Sequence, residues 1–426
     1  MIRIIESTDE RAVSGLLDRR PARDRRLEAR VARIVARVRR EGEPALLAFA
    51  RRFDGLTAAL EIEPTEIDAG VRATPRDVRD AIRLAARHIR RVARRQVPRG
   101  WTVATTSGVR IEQRVVPLDR VGCYVPGGRY PLPSSLLMTA IPARVAGVRE
   151  VVAVCPRPDA TVLCAAREAG VDRLFRIGGA HAIGALAYGT STVPKVDKIV
   201  GPGNAYVAAA KALVASDCAI DFFAGPSEIA VLSETGRAEW IAADLIAQAE
   251  HDPDARAILI TPSKRLASAV ARAIARQLPK TGPAPVSLER NGGIVVTRTL
   301  DEAIALTQRL APEHLVCDSD AIARRTTRAG TVFVGDYSAQ ACGDYVTGSN
   351  HVLPTSGAAA GRGGLSAADF VRVSTVQRLT AAGLRRIAPA GVALARAEGL
   401  TAHAASMTIR DRRIAAPRRT RKRFEG

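Results

Sequence analysis

The chain has 426 residues, of which 47% are hydrophobic and 25% are charged, and its formal net charge is +21. The length predicts two or more domains, and the composition is typical of a soluble globular protein. No apolar run approaches the roughly 20 residues that span a bilayer, which argues against a membrane-spanning helix. The N-terminus, MIRIIESTDERAV, lacks the basic and then apolar order of a signal peptide, so we expect a cytoplasmic protein.

The positive charge comes almost entirely from arginine, which is spread over both ends and the early part of the chain. Only the tail RDRRIAAPRRTRKRFEG forms a dense basic run. We interpret the excess as solvated surface plus a disordered tail, with specific nucleic-acid binding as the alternative. The six cysteines are scattered without a CxxC pair, which argues against a disulfide framework and a thiolate zinc cage.

The early part of the chain predicts two basic amphipathic helices, over 24–52 and 76–96. The first of them places Leu27, Val31 and Ile34 at helical spacing. Residues 101–121 alternate instead and contain turn signals, which predicts antiparallel strands.

From residue 150 onward, short β-branched runs alternate with helical segments, and this rhythm occurs twice. The first series contains EVVAVC, LFRIG, KIVG and AIDFFAG, and the second contains ARAILIT, GGIVVT, HLVCD and TVFVG. Strands that alternate with helices of about 10–15 residues indicate βαβ units and a parallel sheet. We therefore predict two α/β domains with a crevice between them.

A glycine-rich segment at 342–366 has no periodicity. A loop of this length within a compact protein is usually functional or disordered. A capping-box-like SAAD follows at Ser366 and predicts helix towards residue 408, with a break near Pro389. This C-terminal piece is too small to form a core of its own, so we expect it to dock elsewhere.

Gln248 and His251 lie three residues apart in DLIAQAEHDPDAR and would share one face of a helix. Zinc binds nitrogen and oxygen ligands, and Asp344 of the GDY loop and His403 of LTAHA would complete a set of four. Spacing alone does not establish this site, because a glutamine at this position also fits a local cap or hydrogen bond.

Two further features suit catalysis. PEHL joins a carboxylate, Glu313, to an imidazole, His314, at a strand edge, which fits either general acid–base work or an ordinary surface pair. Glycine turns at VPGG, IGGA and GPGN direct backbone N–H groups at an anion, and the turn in AGPSE exposes Ser227. None of these turns is GxGxxG, so the pattern alone does not establish a dinucleotide site.

Seven segments occur in order and with plausible spacing: GPGNAYVAAAK, AGPSE, DLIAQAEHDPDA, APEHL, GDYVTGSNHVLPT, SAADF and EGLTAH. Together they resemble histidinol dehydrogenase, from about residue 25 to residue 410. The combination is specific, although each piece alone is not. The arginine-rich end of the chain lies outside the resemblance.

The resemblance implies a cytosolic zinc homodimer that oxidises L-histidinol through L-histidinal to L-histidine with two NAD, the last step of histidine biosynthesis. With the strand pattern, it implies two Rossmann-like parallel-sheet α/β domains with small helical N- and C-terminal extensions, in a domain-swapped dimer. The predicted N-terminal helical extension is 1–23. The domain carrying zinc and catalytic residues is predicted at 24–114 plus 229–365, and the NAD-binding domain at 115–228. A helical segment at 366–411 is predicted to contribute to the partner's site, and 412–426 is predicted to be a basic disordered tail.

The functional positions of the family match individual residues of this sequence. The implied zinc ligands are Gln248, His251, Asp344 and His403, and the implied acid–base residues are Glu313 and His314. The implied substrate-binding residues are the four zinc ligands and His314 together with Ser227, His351 and Glu398. The implied NAD contacts are Tyr124, His181 and Asn204. His181 stands where the family usually has glutamine, and a histidine still donates or accepts a hydrogen bond.

In the implied mechanism, His314 takes the hydroxyl proton as hydride leaves to NAD, Glu313 activates water on the bound aldehyde, and His314 acts again as base. One alternative is a relative that oxidises another small amino or sulfonated alcohol; Glu398, a carboxylate suited to an imidazole N–H, favours histidinol. Another is a binding protein, associated with nucleic acid through its tail. The Glu313–His314 pair and the four ligand positions argue against it.

Overall fold

The computed structural model describes residues 2–18, 24–127, 130–222 and 225–410, so the predicted basic tail at 412–426 lies outside the described residues. Within the described part, no helix is both long and apolar enough to cross a bilayer. The chain divides into two compact units. The main unit comprises Met1–Val97 and Pro117–Phe370, and the small unit comprises Pro98–Val116 and Val371–Gly426.

The strands are β1 (Ile4–Glu6), β2 (Trp101–Thr106), β3 (Val109–Pro117), β4 (Arg120–Tyr124), β5 (Glu150–Val154), β6 (Arg173–Phe175), β7 (Lys198–Val200), β8 (Ala219–Ile220), β9 (Glu228–Leu232), β10 (Arg256–Thr261), β11 (Gly293–Val296), β12 (His314–Cys317), β13 (Thr331–Val334) and β14 (Val371–Leu379). The helices are α1 (Glu10–Leu17), α2 (Arg25–Glu41), α3 (Glu43–Phe49), α4 (Pro64–Ala73), α5 (Arg76–Gln96), α6 (Pro133–Ala146), α7 (Ala160–Ala169), α8 (Gly179–Tyr188), α9 (Ala205–Val214), α10 (Ala238–Ala249), α11 (Lys264–Gln277), α12 (Pro283–Asn291), α13 (Leu300–Leu310), α14 (Asp320–Arg325), α15 (Gln340–Tyr345), α16 (Ala381–Ala397) and α17 (Thr401–Thr408). A π-helical turn covers Ala50–Asp54, and 3₁₀ turns cover Ala358–Ala360 and Ala367–Phe370.

A five-stranded parallel sheet of order β6-β5-β4-β7-β8 forms the first α/β domain of the main unit. Its central strands are buried on both faces, as Val121, Val152 and Ile199 show. Helices that cover both faces of a parallel sheet exclude water from every side chain of a central strand. This is why β4 and β5 are continuous apolar runs and do not alternate. The predicted α/β class with parallel sheets is confirmed.

Helices α2 to α5 belong with this first sheet. The apolar face of α2, which contains Val31, Ile34 and Val38, packs against α8 and α9, while α4 packs on α7 and α5 packs on α6. The predicted boundaries assign residues 24–114 to the other α/β domain, and the structure differs there. Helical periodicity shows which face of a helix is buried, but it does not show which sheet that face covers.

A six-stranded parallel sheet of order β1-β11-β10-β9-β12-β13 forms the second α/β domain. Every residue of β9 and β10 is buried. The edge strand β1 pairs with β11 and places Ile5 opposite Val295. The N-terminal segment predicted as a helical extension therefore contributes a strand as well as helix α1. A three-residue strand is too short to show a period in the sequence.

The small unit consists of an antiparallel β2–β3 pair, extended by β14 into a three-stranded sheet, and of α16 and α17, which pack on each other. The antiparallel strands predicted within 101–121 are confirmed for β2 and β3. Helix was predicted from Ser366 towards residue 408, and this is wrong for β14, where β-branched residues such as Val371 and Val373 favour a strand. Pro389 lies inside α16 without ending it.

Candidate active site

The predicted catalytic pair, Glu313 and His314, lies at the amino end of a strand in the six-stranded sheet. His314 begins β12, and Glu228 begins the neighbouring strand β9. All amino ends of a parallel sheet share one edge. Helix α10 starts beyond the carboxyl end of β9 and returns to that edge with Gln248 in its last turn. This edge is opposite the one where open α/β sheets usually bind ligands.

Glu313 and His314 form a deeply buried pair, with 5% and 4% of their surfaces exposed. The backbone of Glu228 contacts both: its N–H donates to Oε2 of Glu313 at 2.8 Å, and its carbonyl oxygen lies 3.2 Å from Nδ1 of His314. Because a carbonyl only accepts, Nδ1 carries a proton, and Nε2 of the neutral ring is the nitrogen that accepts one. Glu228 was not predicted from the sequence, because a backbone contact leaves no signal in residue type.

Burial changes the protonation of this pair. It raises the pKa of Glu313 to about 8, against the opposing attraction of His314. Burial alone lowers the pKa of His314, but the carboxylates of Glu313 and Asp344 outweigh it and raise that pKa above its ordinary value. A carboxyl group with a pKa near neutral pH is well matched to proton exchange with water, which is the task of a general base.

Asp344 on α15 connects the histidines of the site. Its Oδ1 lies 3.6 Å from Nε2 of His314, and its Oδ2 lies 3.8 Å from Nε2 of His251. Its backbone carbonyl lies 2.9 Å from Nδ1 of His351, whose Nε2 is 3.3 Å from Oγ of Ser135. The main unit therefore brings together four of the predicted site residues, which are distant in sequence. Ser135 was not predicted.

The amide group of Gln248 is buried in a place where the described part of the protein offers it no hydrogen bond. Its side chain is completely buried, yet neither amide atom has a hydrogen-bond partner among the described residues. An unpaired buried polar group costs about 1–3 kcal/mol. An amide oxygen together with the imidazole of His251 and the carboxylate of Asp344 matches the nitrogen and oxygen donors that zinc accepts. This donor chemistry fits the predicted metal.

A complete metal site is not formed within the part of the chain that the structure describes. No group of three or more His, Cys, Asp or Glu side chains there is arranged to hold a metal ion. Two of the predicted ligands do not add to such a group: Gln248 is an amide, and His403 lies exposed on α17 of the small unit. Glu398 is also exposed in the small unit, at the end of α16.

The predicted substrate residue Ser227 immediately precedes β9 and is half-buried. The next residue, Glu228, forms a buried ion pair with Arg256 at 3.0 Å and accepts the backbone N–H of Ser356 at 2.9 Å. Ser356 belongs to the glycine-rich segment that carries His351. The Glu228 carboxylate thus connects this segment to strand β9, whose first residue contacts Glu313 and His314.

The predicted NAD contacts lie beyond the carboxyl ends of the five-stranded sheet, where open α/β sheets usually bind ligands. Tyr124 ends β4, and its hydroxyl oxygen accepts the backbone N–H of Gly179 at 3.0 Å. Asn204 caps α9, and its side-chain oxygen accepts two N–H groups of the first turn. Both residues therefore shape glycine turns that precede helix N-termini, as an anion-binding edge requires.

His181 is held inside the first domain and is only 2% exposed. Its Nε2 donates to Oδ2 of Asp54 at 2.7 Å, and its ring lies near those of Phe49 and Phe53. The same carboxylate oxygen accepts the N–H of Gly178 at 3.0 Å. The imidazole is thus linked to the glycine turn through Asp54, a residue that was not predicted from the sequence.

A buried ion pair of Lys211 and Asp221 supports the GPGN turn. Lys211 Nζ donates to the carbonyl of Gly201 at 3.0 Å, and Asp221 Oδ2 accepts the N–H of Gly201 at 2.8 Å. Gly201 has a φ of 115°, and a Cβ at this position would clash with the carbonyl oxygen of Tyr124. The turn therefore requires glycine for both its backbone conformation and its close approach to β4.

Gly201→Ala is expected to lower the free energy of unfolding by about 2–4 kcal/mol. The alanine would have a strained backbone at positive φ, and its Cβ would clash with the Tyr124 carbonyl oxygen, and the two costs add. Denaturant unfolding measures the loss. Gly282→Ala is the matched control, since Gly282 has a φ of 97° but a Cβ added there would meet no atom within 4 Å. The control should lose only about 1–2 kcal/mol from strain. Equal losses in the two variants would contradict the clash.

The comparisons with known proteins agree on one family. The family model described as histidinol dehydrogenase matches residues 17–411. The chain is 46% identical over 409 residues to histidinol dehydrogenase of Gluconobacter oxydans, with 93% of this chain and 95% of that protein covered. It is 44% identical over 402 residues to histidinol dehydrogenase of a Synechococcus species, with 91% of this chain and 93% of that protein covered.

A solved structure agrees with the sequence relatives. The crystal structure of histidinol dehydrogenase from Elizabethkingia anophelis has a TM-score of 0.91 and 31% sequence identity to this chain, and covers 97% of this chain and 99% of that one. The similarity thus extends over both α/β sheets of the main unit. On the family match and these relatives, the chain belongs to the histidinol dehydrogenase family.

Proposed function

We propose that the chain oxidises L-histidinol through L-histidinal to L-histidine with two NAD and one zinc per chain, as the last step of histidine biosynthesis. The observation that carries this proposal is the buried Glu313–His314 pair, with His314 3.6 Å from Asp344. Family membership supports the same reaction. Acid–base groups beside a set of metal-type donors suit oxidation of an alcohol whose nitrogen atoms can be anchored.

The proton transfers follow from the contacts of His314 and Glu313. Because Nδ1 of His314 is directed at the Glu228 carbonyl, Nε2 accepts the hydroxyl proton of histidinol. NAD, when bound, accepts the hydride and supplies the redox chemistry. Glu313 then takes a proton from the water that adds to the aldehyde carbon, and the protonated His314 returns its proton to the former carbonyl oxygen. This gives the hydrated aldehyde and the neutral His314, and Glu313 releases its proton to solvent. His314 accepts the second hydroxyl proton, and each oxidation releases one proton and one hydride.

The residues that would hold zinc are Gln248, His251 and Asp344 of one chain and His403 of a second copy. Zinc, when bound, supplies a redox-inert anchor for the imidazole and amino nitrogens of the substrate. Around it, Ser227 and His351 would contact the substrate, and Glu398 of the second copy would accept its imidazole N–H. These contacts would hold the carbinol carbon in one reactive orientation, which lowers the entropic part of the barrier.

The dimer is part of the proposal, because Glu398 and His403 are needed at the site and lie in the small unit. Among the described residues of that unit, the buried hydrophobic cluster on α16 and α17 is small and contains Val392, Ala395 and Ala404. Its exposed apolar side chains include Trp101, Val103, Val373, Leu394 and Leu400. Apolar surface of this kind marks an interaction site, and exchange of an element between protomers is a common route to a two-fold dimer.

For the cofactor, we propose that NAD lies at the carboxyl edge of the five-stranded sheet. Tyr124 and Asn204 would contact it directly. His181 would contribute through its hydrogen bond to Asp54 and the adjoining glycine turn. The location at the edge where parallel sheets bind nucleotides supports this assignment.

The function is tested by following NADH formation with purified protein, zinc and L-histidinol. Steady turnover that yields two NADH per histidinol is expected. The competing hypothesis, a relative acting on another small amino or sulfonated alcohol, is tested in parallel with such an alcohol. A higher kcat/KM for that alcohol than for histidinol would overturn the assignment of the substrate. No NADH from either alcohol would favour a binding protein.

Removal of zinc is expected to abolish turnover while the fold and NAD binding persist. The burial of the two sheets of the main unit does not depend on the zinc site, so the protein does not need the metal to fold. Chelation followed by gel filtration, NAD binding and circular dichroism checks this, and added zinc should restore activity. Unfolding on chelation would indicate a structural metal instead.

A further inference from the structure

Two helices in the main unit carry proposed zinc ligands, and each has a polar side chain one helical turn before the ligand. Asp244 precedes Gln248 by one turn on α10, and Gln340 precedes Asp344 by one turn on α15. Residues spaced in this way lie on the same face of a helix. Gln340 is buried and Asp244 is half-buried.

Asp244 and Gln340 face each other across α10 and α15, which are in contact. The backbone N–H of Gln340 is close enough to the Asp244 carboxyl group to favour its charged form. This N–H lies in the first turn of α15, where a helix provides no partner of its own. The preceding residue, Ala339, has no side-chain acceptor to offer. This contact between the Asp244 carboxylate and the N–H of Gln340 places the start of α15 against α10.

The side chain of Gln340 extends the connection to Asp344. Its Nε2 donates to Oδ2 of Asp344 at 2.7 Å. An amide NH₂ group only donates, so it supports the acceptor form of the carboxylate and fixes the plane in which the two oxygens lie. The backbone of Asp344 is held separately, through the contact of its carbonyl with His351.

We propose that Asp244 and Gln340 form a clamp that positions two zinc ligands. Asp244 sets the spacing of α10 and α15, and with it the spacing of Gln248 and Asp344, while Gln340 sets the orientation of the Asp344 carboxylate. Both are positioning residues and are not ligands. The inference rests on the proposed zinc site, and it adds residues outside the predicted ligand set. Residues that orient metal ligands typically change metal affinity about 10–100-fold when they are lost.

The clamp is tested on purified apo-protein by competition for zinc with a chromophoric chelator, with thermal unfolding of the same apo samples. Gln340→Leu removes the amide at nearly constant volume, and Gln340→Ala is the second variant in case leucine prevents folding. Asp244→Ala removes the acceptor of the N–H. Each is expected to weaken zinc binding about 10–100-fold. Asp244→Asn keeps an acceptor oxygen and should recover affinity to within about threefold of the native protein.

Gln277 provides a matched control, because its amide makes the same kind of bond, 2.6 Å long, to the Glu239 carboxylate at the other end of α10. Gln277→Leu should leave zinc affinity unchanged. If the native protein does not bind zinc, the proposed zinc site itself fails. If the native protein binds zinc and the Gln340 and Asp244 variants bind it equally well, the clamp is wrong. A loss of affinity that only follows apo-protein melting temperature, or that also occurs in Gln277→Leu, would overturn it too.

Discussion

Replacement of His314 by alanine is expected to lower the rates of both oxidation steps by about 10²–10⁴-fold, the usual contribution of a positioned acid or base. Histidinol and its hydrated aldehyde each lose a hydroxyl proton, and His314 is the group we propose to accept both. Rates of NADH formation with histidinol and, separately, with histidinal measure the two steps. Retained speed in either step would mean that another group is its base.

Glu313→Gln gives the contrasting variant. The amide oxygen of glutamine can still accept the N–H of Glu228, so the local geometry should persist. Only hydration of the aldehyde needs Glu313 as a base. Oxidation of histidinal should therefore slow much more than oxidation of histidinol. Similar losses in the two steps would remove the water-activating role of Glu313.

A mixture of two inactive variants is expected to recover about a quarter of the native activity. His314→Ala damages the main unit, and His403→Ala damages the small unit. When equal amounts are unfolded and refolded together, random pairing makes about half of the dimers mixed. In a shared-site dimer, each mixed dimer has one complete site and one doubly damaged site, so about a quarter of all sites are intact by two-fold symmetry.

The complementation experiment needs two controls. Native protein taken through the same refolding gives the reference activity. Different affinity tags on the two variants show that mixed dimers have formed. If each site were built from a single chain, no pairing would restore a complete site. Mixed dimers without activity would therefore rule out the shared site and leave the small unit with a different role.

Much of the fold was predictable from local patterns. The β-branched runs that become β5, β10 and β11 are continuous because both of their faces are buried, and this signal is present in any short window of sequence. Where the window is too short or ambiguous, prediction failed: β1 has three residues, and β14 was assigned to a helix. The packing of α2 to α5 on the first sheet was also missed, because it depends on contacts between distant segments.

The sequence by itself determined the residue types of the candidate site. Gln248, His251, Glu313, His314 and Asp344 stand in motifs whose order resembles one family, and that resemblance needs no coordinates. Only the tertiary structure brought His314 within 3.6 Å of Asp344 and left the buried amide of Gln248 without a partner among the described residues. It alone also revealed Glu228 and Gln340 as the residues that hold these side chains. Such contacts join residues far apart in the chain and use backbone groups common to all residue types, so no sequence motif records them.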